Sequence, residues 1–419
     1  MTLPRRAVPP LGLVSQRLPS DHIADVRAET CRRLVQSGLL QRLHEGDQIA
    51  ITASSRGIRA SVDLLAGIVE AVRHFGAEPF VVPAMGSHGG ATADGQVEIL
   101  KRLGITEETV RAPIRATMHT HALGAAATGA IAHLDEIAAN ADGIIVLARI
   151  KTHPENASGV ASGLLKMVTV GLGKQRGAQQ AHTNGLWESV KAVPRLTLAQ
   201  AKILAGVAVV ENGYQQPVQI EIVSPGYDEF AEADKRLLDV AKPHVARIPF
   251  STIDLLVVDQ LGKNISGTGI DLNVIGDWRL KGGAREPDYK RIAVLSLTAE
   301  SLGNGLGIGL ADFTTRRFLA EYDPYVTYVN LLTATEPGVL NTREGSPPLA
   351  LACDRDAIEV ALFSSLAPQH PRVCRIRNTA SLDEMWVSTP LLDEAKQNSK
   401  LTVDGPPSPL AFDDEGNLF

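Results

Sequence analysis

The sequence predicts an α/β protein of two domains, with mainly parallel sheets, helices on both faces and an active-site cleft between the domains. Three observations predict it. Apolar runs of strand length alternate with amphipathic stretches of helix length along most of the chain. Several of these runs are continuous rather than alternating, as strands covered on both faces require. A chain of 419 residues also exceeds what one hydrophobic core usually organises.

Taken in order, "DQIAITAS" (47–54) is the first core strand. A helix follows from about Arg59 to Phe75, because Leu64, Leu65, Ile68, Val69 and Val72 recur at helical spacing. "EPFVVPA" is the next strand, Asp94 to Leu103 a helix, and "DGIIVLARI" (142–150) a strand buried on both faces. The runs "ILAGVAVVE" (203–211), "VQIEIVS" (218–224), "IDLLVVDQ" (253–260) and "RIAVLSL" (291–297) continue the alternation. Between Pro243 and Pro249 the helix "EFAEADKRLLDVA" has ended and a new strand is about to begin, which divides the chain into domains 1–245 and 246–403. The remainder, 404–419, is Pro/Gly-rich and acidic and reads as an irregular tail.

Composition narrows the function. At 44% hydrophobic and 21% charged the chain is ordinary for a globular protein, and a net charge of −6 lacks the basic excess of a nucleic-acid binder. Cys31, Cys353 and Cys374 have no paired spacing, so neither a disulfide framework nor a thiolate metal site is expected, in keeping with a reducing compartment. The start "MTLPRRAVPPLGLVSQ" has no sustained apolar segment and no run reaches the roughly 18 residues of a membrane span, so the expectation is a cytoplasmic protein without a membrane partner.

Five places carry residues suited to chemistry. "ASSRGIRAS" (53–61) joins a strand to a helix, where Ser55, Arg56, Gly57 and the helix-start N–H groups make an anion site; a helix cap with solvated arginines explains them equally well. "MGSHGGATADG" sets His88 among glycines, as a proton-transfer group brought close to a ligand or as a loop histidine bonded to backbone. His153 lies just past the strand 142–150, where open α/β sheets bind ligands. The same stretch runs on to Lys166, inside "GLLKMV", either a snorkelling amine or a desolvated nucleophile. His182 in "QQAHTNG" offers a metal ligand, and Gln260 with Lys263 opens a glycine-rich loop in "DQLGKNISGTGIDLNVIG", an amide and a cation suited to a carboxylate. "MHTH" with His133 imitates a metal site but lacks a fourth ligand. "GNGLGIG" (303–309) does not fit the spacing of a dinucleotide loop.

In this order the segments resemble the nickel-pincer lactate racemase family, enzymes that racemise or epimerise 2-hydroxy acids. Ser55 and Arg56 stand where that family has a Thr-Arg pair; "GSHGGAT" matches its Gly-x-His loop; His153 precedes "SGLLK", ending at Lys166; His182 follows sixteen residues later; Gln260 and Lys263 match its Gln-x-x-Lys. The chain departs from the pattern in His-Gly-Gly for His-Arg-Pro and in Ala53 for an aspartate, and Trp386 is the candidate for the family's second-domain tryptophan. The resemblance implies a nickel-pincer nucleotide, a pyridinium-3,5-bisthiocarboxylic acid mononucleotide carrying nickel, tethered to Lys166 and held by Ser55, Arg56 and Gly57. It implies nickel on His182, proton transfer by His88 and His153, and substrate binding by Arg56, Gln260 and Lys263. It further implies hydride transfer through a 2-keto acid, with separate maturation proteins as partners and a small 2-hydroxy acid as substrate. A noncatalytic organic-acid-binding protein on the same fold and a conventional metal- or nicotinamide-dependent oxidoreductase remain the alternatives, and the oligomeric state stays open.

Overall fold

The computed structural model describes residues 3–55, 58–152, 162–335 and 342–418. Its first strand, β1 (Leu11–Gln16), belongs to a sheet built from the far end of the chain, so the molecule is not divided into the expected consecutive halves. One unit comprises Ser20–Val245 with Val329–Leu340; the other comprises Met1–Pro19, Ala246–Tyr328 and Asn341–Phe419. The break at 245/246 falls between the two proline positions, but residues 1–19 sit in the second unit because Leu11 and Val14 bury their side chains there.

In the first unit, β2 (Gln48–Ala53), β3 (Glu78–Pro83), the hairpin β4 (Thr120–Ala125) and β5 (Ile131–Asp135), β6 (Gly143–Arg149), β7 (Ile203–Glu211) and β8 (Pro217–Val223) follow one another. The main sheet has the order β3-β2-β6-β7-β8, with β8 alone antiparallel. All nine residues of β7 are buried, as the unbroken apolar run requires of an interior parallel strand. The helix Ser61–His74 buries Leu64, Leu65, Ile68, Val69 and Val72. Each buried side chain contributes about 1.5–3 kcal/mol, which outweighs the propensity penalty of roughly 0.7 kcal/mol or less for a β-branched residue in a helix.

The second unit holds β9 (Thr252–Leu261), β10 (Asp288–Leu297), β11 (Phe313–Thr315), β12 (Leu349–Leu351), β13 (Val373–Ile376), β14 (Glu384–Ser388) and β15 (Leu401–Ser408). Its sheet runs β12-β11-β10-β9-β13-β14-β1-β15, parallel from β12 to β13 and antiparallel beyond. The fold is therefore α/β with mainly parallel sheets. The segment from 404 is not irregular throughout: β15 runs to Ser408 through Pro406 and Pro407, which a strand at the sheet edge tolerates because their missing N–H groups are not needed for pairing. No helix among the described residues is long and apolar enough to cross a membrane.

Candidate functional site

From β2 the chain passes to β3 on one side, while β6 lies on the other. Connections diverging in this way leave a crevice at the carboxyl ends of β2 and β6, where open parallel sheets take ligands. Ser55 follows β2, His88 follows β3, and Lys151 and Thr152 follow β6. The backbones of Lys151 and Ser162 pair through two hydrogen bonds of 3.1 Å, so the segment leaving β6 returns to its starting point just before Lys166.

Ser55 and His88 meet directly: the serine Oγ lies 2.6 Å from Nδ1 of the imidazole. Ser55 is buried and His88 half-buried, and the contact orients the ring. Two glycines near His88 are required by close backbone approach within the protein. A Cβ on Gly89 would lie 2.4 Å from the carbonyl carbon of Gly95, and one on Gly95 would lie 2.0 Å from the Gly89 oxygen. Their absence lets the loop press against the first turn of the helix Ala93–Arg102, whose N-terminus Thr92 caps by accepting from Gly95 N at 3.1 Å.

Lys166 ends the short helix Leu164–Lys166 and leads into a π turn, Met167–Gly171. Buried Asp234 accepts from Leu164 N at 2.8 Å and Leu165 N at 3.0 Å and so holds the start of that helix. Burial pushes the Asp234 carboxyl up to about 7, although both N–H bonds oppose the rise. The half-buried Lys166 amine faces the Trp187 ring, 5.2 Å from its centroid.

His182 lies in the last turn of the helix Lys174–Thr183. Its Nδ1 is 2.7 Å from the Ala178 carbonyl, an acceptor only, so Nδ1 carries the proton. Burial pushes the imidazole down to about 4; the Ala178 bond works against this and the Lys166 charge adds to it. The ring is therefore neutral near pH 7 and presents the lone pair of Nε2, the form in which histidine binds metals. Among the described residues no three His, Cys, Asp or Glu side chains converge on a metal position.

A protein family described as a domain of unknown function (DUF362) matches residues 52–276, more than half of the chain. The chain belongs to this family. Among solved structures, that of the lactate racemase apoprotein from Thermoanaerobacterium thermosaccharolyticum is similar at 13% identity and a TM-score of 0.46, covering 88% of this chain and 99% of that one. No curated protein matches the chain.

The segment of this DUF362 protein that matches the family contains Ser55, His88, Lys166, His182, Gln260 and Lys263. It also contains Arg56, Gly57 and His153, which lie outside the described residues. The structure brings Ser55 to His88 and sets Lys166 close enough to lower the His182 pKa. Gln260 and Lys263 belong to the other unit, where Gln260 is exposed at the end of β9. Lys263 is buried at 5% exposure, its amine donating to the Gly267 carbonyl and its backbone N to Ser301 Oγ at 2.9 Å. Trp386 lies on β14 beneath the Arg375 guanidinium, 5.0 Å from the ring centroid. His121 and His133 sit on the β4–β5 hairpin, where His133 Nδ1 lies 3.0 Å from Thr120 Oγ1.

Two groups have surroundings that the sequence did not show. Glu211, only 6% exposed at the end of β7, places Oε2 2.7 Å from Arg149 Nε and accepts from Arg59 N through Oε1 at 3.1 Å. It thus links the end of β6 to the connection that follows β2. Its signal was a lone carboxylate closing the apolar run "ILAGVAVVE". The other is Lys174, which has no exposed surface and whose ammonium is paired with Asp135 at 3.0 Å.

Proposed function

We propose that this DUF362 protein is a racemase or C2 epimerase of 2-hydroxy acids that uses a nickel-pincer nucleotide. The observation that carries the reading is His182: a neutral imidazole, its tautomer set by Ala178, presents Nε2 in the neighbourhood of the Lys166 amine. The donor set fits a metal that arrives with donors of its own, because one imidazole is available and the described residues form no protein-only cage. When bound, the group supplies an electrophilic centre able to take hydride from C2 of the substrate and give it back. Lys166 anchors it covalently, and Ser55, Arg56 and Gly57 hold its anionic part at the carboxyl end of β2.

The protein's own residues move the proton. A 2-hydroxy acid already carries a carboxylate, so direct removal of the C2 proton would build a dianion; loss of hydride from C2 as the hydroxyl proton is taken gives a 2-keto acid with a single negative charge and avoids that cost. With Nδ1 of His88 engaged by Ser55, Nε2 is the nitrogen that accepts the hydroxyl proton of one enantiomer, and His153 donates the proton that completes the other. In the reverse inversion the two exchange roles. Arg56 binds the carboxylate. Small 2-hydroxy acids are the substrates, and separate maturation proteins are the partners that deliver the cofactor.

The test is to co-express the chain with nickel-pincer maturation proteins, then measure intact mass and nickel content and follow a panel of 2-hydroxy acids, sugar acids included, by chiral chromatography. The expected result is a covalent mass increase, about one nickel per chain, and inversion at C2. An unmodified mass with no inversion of any acid overturns the proposal.

A further inference from the structure

We propose that the buried set Lys174, Asp135 and Gln96 is a positioning device that locks the His88 loop to the helix bearing His182. The inference rests on the reading above only for the roles of the two histidines. Lys174 opens the helix Lys174–Thr183 and has no solvent exposure. An ammonium has three N–H donors, and here they face three acceptors from three elements: the Pro83 carbonyl at the end of β3, Gln96 Oε1 at 3.1 Å, and Asp135 Oδ2 at 3.0 Å at the end of β5. Gln96 passes the connection on, its Nε2 donating to the Gly86 carbonyl at 2.9 Å and to the His88 carbonyl at 3.4 Å. The loop is thus tied to Lys174 before His88, through Pro83, and at His88, through Gln96. Eight residues beyond Lys174, the same helix presents His182.

Stability does not account for this arrangement. Burying two opposite charges is expensive, and an apolar pair of like volume commonly serves folding as well or better. Lys174 also holds a backbone φ of +53°, a left-handed conformation that few side chains adopt. What an ammonium offers and a leucine cannot is two directed hydrogen bonds and an ion pair, which together fix three separate elements relative to the helix start.

The test uses the full chain without cofactor. Lys174→Met alone leaves Asp135 as an uncompensated buried charge, so the principal variant is the double Lys174→Met/Asp135→Leu, with Gln96→Leu as a second variant that keeps the ion pair. Two readouts are taken: hydrogen exchange of the His88, Ala91 and Thr92 amides, which bond within the loop to Met85, Ser87 and Gly89, and the imidazole nitrogen resonances of His88. In folded variants with native-like thermal midpoints, exchange at these amides should rise by about tenfold or more, and the His88 Nδ1 signature of the Ser55 bond should weaken. Native exchange and native His88 resonances in a folded double variant, or in Gln96→Leu should the double fail to fold, overturn the inference. Neither readout needs cofactor or substrate. A wild-type chain that inverts no 2-hydroxy acid therefore defeats the proposed function without touching this result.

Discussion

At His182 a single hydrogen bond decides what the side chain can do. Replacement of His182, the proposed nickel ligand, by alanine should lower the nickel retained after co-expression and desalting at least tenfold in a chain that still folds. Lys166→Ala should abolish the covalent adduct, read by intact mass; an adduct that persists places the tether elsewhere. For His88→Ala the expected loss in kcat is about a hundredfold or more, and combining it with His153→Ala should cost much less than the product of the single losses. The pKa shifts also set opposite pH dependences. His182 titrates near 4 rather than 6.5, so the unfolded chain binds more protons between those values, and its contribution to stability is complete above pH 6.5 and declines as pH falls toward 4. Asp234 titrates near 7 rather than 3.8, so the folded chain holds the extra proton, and its contribution is complete below 3.8 and declines as pH rises toward 7. Urea unfolding midpoints between pH 4 and 7 should accordingly rise more steeply with pH in Asp234→Asn than in the wild type.

Among the elements, the loop after β3 makes the sharpest demand on sequence. Gly95→Ala drives a Cβ to 2.0 Å from the Gly89 carbonyl oxygen, and neither backbone can yield without moving His88. A loss of about 1–3 kcal/mol is expected in chemical unfolding, together with loss of the Ser55–His88 bond. The long buried strands β2, β3, β6, β7, β9 and β10 were legible because each is a continuous apolar run that the sheet covers. Shorter strands were not. β11 and β12 have three residues each and β13 four, "VCRI", too few to show a period; they exist through pairing with neighbours distant in sequence. The same limit applies to the site. His88, Lys166 and His182 stood out by type and order, whereas Glu211 and Lys174 became visible only when folding buried them beside Arg149 and Asp135.

For the molecule as a whole, the decisive feature is that one unit is assembled from three stretches of chain. β1 lies between β14 and β15 and pairs with both, so deleting residues 1–19 should expose two strand edges at once and leave Leu11 and Val14 without replacements. The expected outcome is aggregated protein on size-exclusion chromatography. Folding intact as a monomer after that deletion would show that the strand is dispensable. The placement of β1 also sets a timetable during synthesis. Leu13 must wait for Trp386, about 370 residues later, which at roughly 5–20 residues per second is on the order of 20–70 s of translation. By the end of that interval the stretch Ser20–Val245, which carries His88, Lys166 and His182, has been made, while the strand at Leu11–Gln16 remains unpaired and open to chaperones. A strand made about 370 residues before its partner is among the last to find its place.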